Sequence, residues 1–256
     1  MAQKRIETAL FNYCLWLGDT NLISGHRLSE WCGHGPILEE DIAMTNIALD
    51  LIGQSRALLT YACELEGKGK TEDDLAYHRD AADFKNAMLA EQPNVEFGNT
   101  MVRQFLLDTF NYHLYSRLAT SADEKINALA AKSLKEITYH HRHSAEWIKR
   151  LGDGTAKSHE RAQAAIYNLW KFTDDLFDNT EEDDLLIKEK IVPDLKEIKE
   201  KWIKSVKEAV ISATLKLPDN EVFMVKGSRR GNHTEHLGYI LAEMQFLPRA
   251  YPDAKW

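Results

Sequence analysis

Cysteine is scarce in this chain of 256 residues, which contains Cys14, Cys32 and Cys63. No two of these residues have the C-x-x-C spacing found in many zinc and iron–sulfur sites, and three cysteines do not make the framework of a disulfide-rich secreted protein. The low cysteine content suits a reducing compartment. We therefore expect a cytoplasmic protein without a disulfide framework.

Long apolar runs are also missing. Lys4 and Arg5 precede a short apolar stretch, which weakly resembles a secretory signal peptide, but Glu7, Asn12 and Asp19 interrupt it. No segment approaches the roughly 20 apolar residues that a membrane-spanning helix needs. The sequence therefore predicts neither a signal peptide nor a membrane anchor.

An excess of positive charge is absent as well. The chain has 32 basic and 40 acidic residues, a formal net charge of −8, which argues against a nucleic-acid-binding surface. A chain of this length can bury one large hydrophobic core or two smaller ones. These properties predict a soluble, acidic globular protein.

Apolar residues recur at helical spacing along most of the chain; Ile6, Leu10, Tyr13 and Leu17, for example, form one stripe. The predicted helices cover about 4–31, 36–66, 99–118, 123–151, 155–178, 193–217 and 235–248, with a crossover at 68–95 that contains a capped helix start at Thr71. A short strand is considered only at 222–225. This order predicts an all-α fold: a ferritin-like four-helix bundle of two antiparallel hairpins joined by a long crossover, plus additional C-terminal helices. We expect a single domain, 1–256, with the core bundle at about 4–151 and a helical extension at about 155–256.

Four acidic residues occupy positions that suggest a di-iron centre. Ferritin-like di-iron sites take a Glu from each of two helices and a Glu-x-x-His from each of the other two. The four predicted bundle helices offer Asp19, Asp50, Asp108 and Glu136. If the hairpins turn near 34–35 and 122, Asp19 is level with Asp50 and Asp108 is level with Glu136. We expect most of the four to be buried; the alternative, that some face solvent, remains open.

The histidines of such a centre are missing, because Gly53 and Tyr139 stand three residues after Asp50 and Glu136. This pattern predicts a non-catalytic relative of a di-iron oxygenase that works by binding a catalytic partner. Without metal, buried carboxylates repel one another and persist only if they are protonated, hydrogen-bonded or paired with bases. The candidate bases are His140, Lys132 and Arg103.

The sequence thus predicts a vestigial polar core that consists of Asp19, Asp50, Asp108, Glu136 and His140. Because Glu136 and His140 are four residues apart on one helix, we expect them to form a buried pair. A native metal site at His140 and His143 is the alternative to hydrogen bonding in the core or at an interface.

Three further segments have two interpretations each. Lys226, Arg229 and Arg230 precede a helix start, which favours either an interface loop or an anion site for phosphate or coenzyme. Thr234 is interpreted as an N-cap in preference to a metal site formed by its neighbouring histidines. The acidic run 174–184 is interpreted as a solvated connection, with docking of a basic partner as the alternative.

Several segments together resemble the structural subunit of the bacterial multicomponent phenylacetyl-coenzyme A epoxidase, a monooxygenase. The resemblance extends from about Leu15 to Trp256 and is weakest between 178 and 203. The segments that resemble the family are Leu28–His34, Asn46–Gln54, Glu91–Asn94, Lys135–His140, Leu151–Thr155, Thr234–Gly238 and Leu241–Gln245.

The resemblance implies a place in phenylacetate catabolism, within a complex that converts phenylacetyl-CoA to its ring 1,2-epoxide with dioxygen and electrons from NADPH. It implies a ferritin-like, di-iron catalytic sister subunit that makes most of the contacts with the substrate. It also implies a reductase that carries flavin and iron–sulfur groups. For this chain it implies a structural role, with no catalytic, cofactor-binding or metal residue.

Two other functions are considered. The chain could be an active carboxylate-rich di-iron oxidase or a rubrerythrin-like protein that uses the five polar-core residues. It could also be an unrelated helical adaptor. Iron content distinguishes the first alternative, and co-purification with a ferritin-like partner distinguishes the second.

Overall fold

The computed structural model describes residues 2–219, 222–252 and 254, and within them the chain is helical without strands. The helices are α1 (Ala2–Ser29), α2 (Leu38–Glu66), α3 (Glu72–Tyr77), α4 (Phe97–Leu118), α5 (Glu124–Gly152), α6 (Ala156–Trp170), α7 (Glu181–Lys188), α8 (Leu195–Ser212), α9 (Glu235–Met244) and α10 (Phe246–Ala250). Short 3-10 helices lie at Ala81–Asp83, Thr173–Phe177 and Ser228–Arg230. The predicted all-α class is confirmed. No helix of the described residues has both the length and the apolar character needed to cross a membrane.

The chain forms two compact units. The first consists of Met1–Glu91 and Gly227–Trp256, and the second of Gln92–Lys226. The first unit contains the α1–α2 hairpin, the crossover and the C-terminal helices, and the second contains the α4–α5 hairpin with α6, α7 and α8. A single domain that spans 1–256 remains a prediction.

Close contacts fix the register of the α1–α2 hairpin in the first unit. Asn21 Nδ2 donates to Gln54 Oε1 at 3.3 Å, and a Cβ added at Gly25 would lie 2.9 Å from Ile52 Cγ1. Since Asp19 is two residues before Asn21, it is level with Arg56, which is two residues after Gln54. The prediction that Asp19 is level with Asp50 is therefore wrong by six residues, about 9 Å along the helix.

The path of the connecting segment explains this difference. The prediction assumed a tight turn centred at 34–35. Instead, the connection folds back onto the first turn of α2, where the Asp41 carboxylate accepts hydrogen bonds from the backbone N–H groups of Gly33 at 3.1 Å and Gly35 at 2.9 Å. These backbone hydrogen bonds hold the pKa of Asp41 below its usual value, and the bond from Gly35 has the largest effect. The first two turns of α2 extend beyond the end of α1.

Some sequence signals for helix ends in the first unit are accurate. Thr71 forms the predicted N-terminal cap of α3, as a capping box with Asp74. Gly67 ends α2 in the left-handed conformation, with φ of 66°. The last predicted helix is divided at Gln245 into α9 and α10, so that Pro248 lies within the short α10 rather than ending a single helix.

In the second unit, α8 packs on α4. Trp202 is buried, and its Nε1 donates to the backbone oxygen of Leu106 at 2.9 Å. The Trp202 ring also contacts Phe177, which in turn lies edge-on to Phe110. These aromatic contacts hold α8 and the 3-10 helix Thr173–Phe177 against α4.

The interpretation of 174–184 as a solvated connection is wrong. Helix α6 ends at Trp170 rather than near 178, and α7 begins after Thr180. Asp175 and Asp183 are buried, and Asp183 closes a capping box in which its carboxylate accepts from the Thr180 N–H at 2.8 Å. Part of the acidic run therefore caps a helix. Residues 222–225 form neither helix nor strand.

Candidate functional site

Asp19 lies in the middle of α1 and is fully buried. Its carboxylate accepts hydrogen bonds from both terminal nitrogens of Arg79, with Nη1 at 3.0 Å from Oδ2. The backbone N–H of Lys85 also donates to Oδ2, at 2.9 Å. A planar guanidinium that bonds both oxygens is the strongest side-chain partner for a carboxylate. Asp19 is thus neutralised by a cation from the crossover.

Arg79 is itself fixed in place. Its Nε donates to the backbone oxygen of Leu75, its Nη1 also donates to that of Asp83, and its guanidinium lies 4.3 Å from the centre of the Phe84 ring. Every one of these contacts comes from the crossover that follows α2. The partner of Asp19 is therefore a preorganised structural group of the first unit.

Two of the three bases proposed from the sequence lie elsewhere, whereas His140 lies near Asp108. Arg103 donates to the backbone oxygen of Gln92 and, at 2.7 Å, to Asn94 Oδ1, while Lys132 is exposed. Arg79 gave no sequence signal, because it is 60 residues from Asp19 and a single arginine in a loop does not indicate its partner.

Asp50 and Gly53 do not occupy the positions expected of a Glu-x-x-His motif. Asp50 is partly exposed and Gly53 is exposed, so the residue three positions after Asp50 points away from the packed face of α2. Gln54, the next residue, is buried instead and pairs with Asn21 of α1. Gly53 is therefore not an emptied ligand position.

In the second unit, Asp108 is buried, and both of its carboxylate oxygens accept hydrogen bonds. Gln104 Nε2 donates to Oδ1 at 2.7 Å, and Ser144 Oγ donates to Oδ2 at 2.8 Å. Burial raises the pKa of Asp108. The electrostatic interaction with His140 opposes that shift, and the hydrogen bonds from Ser144 and Gln104 oppose it to a smaller extent. Asp108 thus lies opposite Ser144, not opposite Glu136 as predicted, because the hairpin register differs by about two turns.

Glu136 is partly exposed and Tyr139 is 41% exposed, whereas His140 is 1% exposed. The expected Glu136–His140 pair is therefore not a buried pair, since its acidic member reaches the surface. His140 interacts electrostatically with Asp108. Next to it, His141 stacks on Tyr112 at 5.1 Å, and burial lowers the pKa of His141.

We expect the Asp108→Asn variant to change how stability depends on pH. The folded protein holds a proton on Asp108 more tightly than the unfolded chain does, because the folded pKa is raised. The contribution of Asp108 to wild-type stability therefore falls as pH rises from the ordinary Asp value of about 3.9 through the raised folded pKa. The introduced asparagine cannot titrate, so the variant should gain stability relative to wild type over that window, as measured by urea denaturation at several pH values.

The matched control for this measurement is Asp153→Asn, since Asp153 is exposed at the end of α5. Its difference from wild type should stay flat with pH. A flat difference for Asp108→Asn as well would contradict the raised pKa.

A second buried carboxylate cluster was missed by sequence reasoning. Glu91 is fully buried in the first unit and accepts hydrogen bonds from Asn86 Nδ2 at 3.0 Å and from the backbone N–H of Thr234 at 2.6 Å. His233 Nδ1 lies 3.1 Å from Glu91 Oε2, and its Nε2 lies 2.9 Å from the backbone oxygen of Phe84. The Glu91 backbone oxygen accepts from Arg27 Nε at 3.1 Å and Nη2 at 2.9 Å.

This geometry constrains the hydrogen bonds of His233. A carbonyl oxygen only accepts hydrogen bonds, so Nε2 of His233 is placed to donate to Phe84. Nδ1 lies beside a carboxylate oxygen of Glu91. Glu91 and His233 belong to the segments 91–94 and 233–236. They are 142 residues apart, and no sequence pattern indicated that they lie together.

The predicted anion or interface loop is partly buried. The Arg229 guanidinium lies 4.4 Å from the centre of the Trp16 ring, and its backbone oxygen accepts from Lys85 Nζ at 3.2 Å. Arg229 is 6% exposed, whereas Arg230 is exposed. In the second unit, Lys226 pairs with Asp174 at 3.3 Å. Arg229 is therefore a packing residue, not a free anion contact.

The polar residues do not fit a di-iron centre. Arg79 and the Lys85 amide bond the oxygens of Asp19, while Gln104 and Ser144 bond those of Asp108. In the described part of the chain, no group of three or more His, Cys, Asp or Glu side chains is placed to hold a metal ion. The arrangement instead stabilises buried charge by hydrogen bonds and one ion pair.

Comparison with known proteins gives consistent results. The model of the family described as phenylacetic acid catabolic protein matches residues 1–256. The sequence is also 46% identical over 244 residues to a protein of Escherichia coli (strain K12) that is described as one of the subunits of 1,2-phenylacetyl-CoA epoxidase. The aligned region covers 95% of this chain and 98% of that protein.

Proposed function

The chain belongs to the family of phenylacetic acid catabolic proteins, and from that membership we propose that it is the structural, non-catalytic subunit of a phenylacetyl-CoA epoxidase. The observation that carries the proposal is the bond between Arg79 and Asp19. A guanidinium bonded to both carboxylate oxygens occupies the lone pairs that a metal ion needs. The same bond argues against the alternative of an active carboxylate-rich di-iron oxidase.

The proposal assigns the chemistry to other proteins. The di-iron centre and most of the phenylacetyl-CoA contacts belong to a ferritin-like sister subunit. NADPH, flavin and iron–sulfur groups belong to a reductase. The relative from Escherichia coli is named as one subunit of its epoxidase, which supports a role within an assembly.

Exposed aromatic residues of the first unit also support a role in an assembly. Tyr239 and Phe246 are each 64% exposed, and Tyr251 is 60% exposed, on or next to α9 and α10. Large exposed apolar patches commonly mark protein interfaces. We expect a permanent interface with the sister subunit of about 2,000 Å² or more.

Omitting this chain should therefore disable the sister subunit. When the sister subunit is expressed alone, we expect it to be poorly soluble, or to turn over phenylacetyl-CoA far more slowly per bound iron than when the two are co-expressed, with reductase in excess in both assays. Activity per iron separates loss of support from loss of metal. A sister subunit that is soluble, monomeric and fully active without this chain would refute the structural role.

A further inference from the structure

A cavity of about 590 Å³ lies in the first unit, between α3 and the C-terminal helices α9 and α10. Asp73 and Tyr77 line it from α3, while Glu243, Leu247 and Tyr251 line it from the other side. Binding sites for small molecules commonly have volumes of roughly 300–1,000 Å³. The cavity is therefore large enough to hold a small ligand.

Hydrogen bonds hold the two walls of this cavity together. Gln245 is buried where α9 meets α10, and its Nε2 donates to the backbone oxygens of Ala76 and Arg79, at 3.0 Å each. Arg249 of α10 donates to the backbone oxygens of Tyr77 at 3.1 Å and Arg79 at 2.8 Å. These bonds join the C-terminal helices to the end of α3. A ligand would thus meet a preformed site, which lowers the free-energy cost of binding.

Both walls of the cavity carry negative charge. Asp73 is exposed on the wall formed by α3, and Glu243 is exposed on the wall formed by α9. In the described part of the chain, the lining contains neither lysine nor arginine. His78 also lines the cavity, but its Nδ1 lies 3.3 Å from the carboxylate of Asp74, which does not. The two lining carboxylates can therefore receive positive charge from a ligand.

Tyrosine rings and an apolar side chain form much of the remaining surface. Tyr77 is partly buried; burial raises its pKa, and the negative charge of Asp73 raises it further. The negative potential of Asp73 thus reaches the phenol group on the same wall. Tyr251 and Leu247 lie on the facing wall and are exposed. The face of a tyrosine ring attracts a cation, and apolar surface beside it suits a hydrocarbon stem.

We propose that this cavity binds a small organic amine with a positively charged ammonium group at each end of an apolar stem. One ammonium group bonds Asp73 and the other bonds Glu243. The stem lies against Tyr77, Leu247 and Tyr251. Hydrogen bonds between ionised groups are about twice as strong as those between neutral groups. An anion would be repelled by both carboxylates, and a neutral apolar ligand would displace their water without replacing its hydrogen bonds.

Titration calorimetry of the purified full-length chain with putrescine, cadaverine and spermidine tests the site. We expect at least one of these amines to bind saturably, with one molecule per chain. Mg²⁺ at the same ionic strength should not bind comparably, because it has the charge but not the apolar stem. Absence of saturable binding by all three amines, or equal binding of Mg²⁺, would overturn the proposal.

Carboxylate variants locate the binding site. Glu243→Gln and Asp73→Asn should each weaken amine binding by about tenfold or more, because each removes one hydrogen bond between ionised groups. Glu39→Gln is the matched control, since Glu39 is exposed on α2 and does not line the cavity. Its affinity should equal that of wild type. Equal affinities of all three variants would show that the amine binds elsewhere.

A tyrosine variant tests the contribution of the rings. Tyr251→Leu should weaken amine binding by about threefold, because leucine keeps an apolar side chain but has no ring face to attract a cation. Tyr239→Leu should not, since Tyr239 is exposed on α9 but does not line the cavity. Equal affinities of the two variants would refute the contact between the amine and Tyr251.

The proposal is independent of the structural role assigned above, because the titrations use the isolated chain. Failure of amine binding would leave the role of the chain in the epoxidase as it stands. Conversely, full activity of the sister subunit alone would refute the structural role and would not alter the cavity.

Discussion

Replacement of Arg79 by methionine is expected to lower the free energy of unfolding by about 3–5 kcal/mol at neutral pH, as measured by urea denaturation. The variant leaves the carboxylate of Asp19 buried with one backbone N–H bond and no cation. Removal of one member of a buried ion pair costs about this much, because the remaining charge is uncompensated. Methionine keeps an unbranched apolar side chain at this position but lacks the guanidinium that lies over the Phe84 ring.

Two further variants show whether the ion pair is the cause. Arg56→Met removes a surface pair with Glu72, in which Arg56 is 76% exposed, and should cost no more than about 1 kcal/mol. Combining Arg79→Met with Asp19→Asn should recover part of the loss, since the buried charge is then removed as well. An Arg79→Met variant as stable as Arg56→Met would show that Asp19 does not depend on Arg79.

Glu91→Ala is expected to be about as damaging, at about 3–5 kcal/mol. Asn86, His233 and the Thr234 amide lose a shared acceptor in the interior of the first unit, and unsatisfied buried donors cost about 1–3 kcal/mol each. These costs are not additive, because the donors relax together. Thermal and chemical denaturation of the purified variants measure the loss.

Conservative and surface changes provide the comparison for Glu91. Glu91→Gln keeps one acceptor oxygen and should cost less than Glu91→Ala. Glu243→Ala removes an exposed carboxylate from α9 and should stay within about 0.5 kcal/mol of wild type. Equal stability of Glu91→Ala and Glu243→Ala would contradict a buried role for Glu91.

Local signals in the sequence predicted the helices well. Apolar spacing placed the two long hairpins within a few residues, and Thr71 and Gly67 marked helix ends by their own chemistry. These signals act over one or two turns, so one sequence is sufficient to read them. The all-α class follows from them directly.

Register was harder to predict, because it depends on the path of a loop. Counting from the middle of the first connection placed Asp19 opposite Asp50. The actual connection is held back by Asp41, which bonds the N–H groups of Gly33 and Gly35. The register that results brings Asn21 next to Gln54, and no apolar pattern contains that information.

Side-chain partners that are far apart in the sequence could not be predicted either. Arg79 and Asp19 are 60 residues apart, and His233 and Glu91 are 142 residues apart. The predicted buried faces of α2 and α5 were wrong for a related reason. Reading histidine positions at i+3 assumed that Asp50 and Glu136 face a core, yet Gly53 and Tyr139 are exposed.

The iron content of the purified chain tests most directly whether this subunit lacks a di-iron site. The chain is loaded anaerobically with excess Fe(II), passed through a desalting column and analysed for metal, with the sister subunit as the positive control. We expect far less than one iron atom per chain and no turnover of phenylacetyl-CoA, because Arg79 holds Asp19 and hydrogen bonds hold Asp108. Retention of about two iron atoms per chain, lost on Asp19→Asn or Asp108→Asn substitution, would contradict that result.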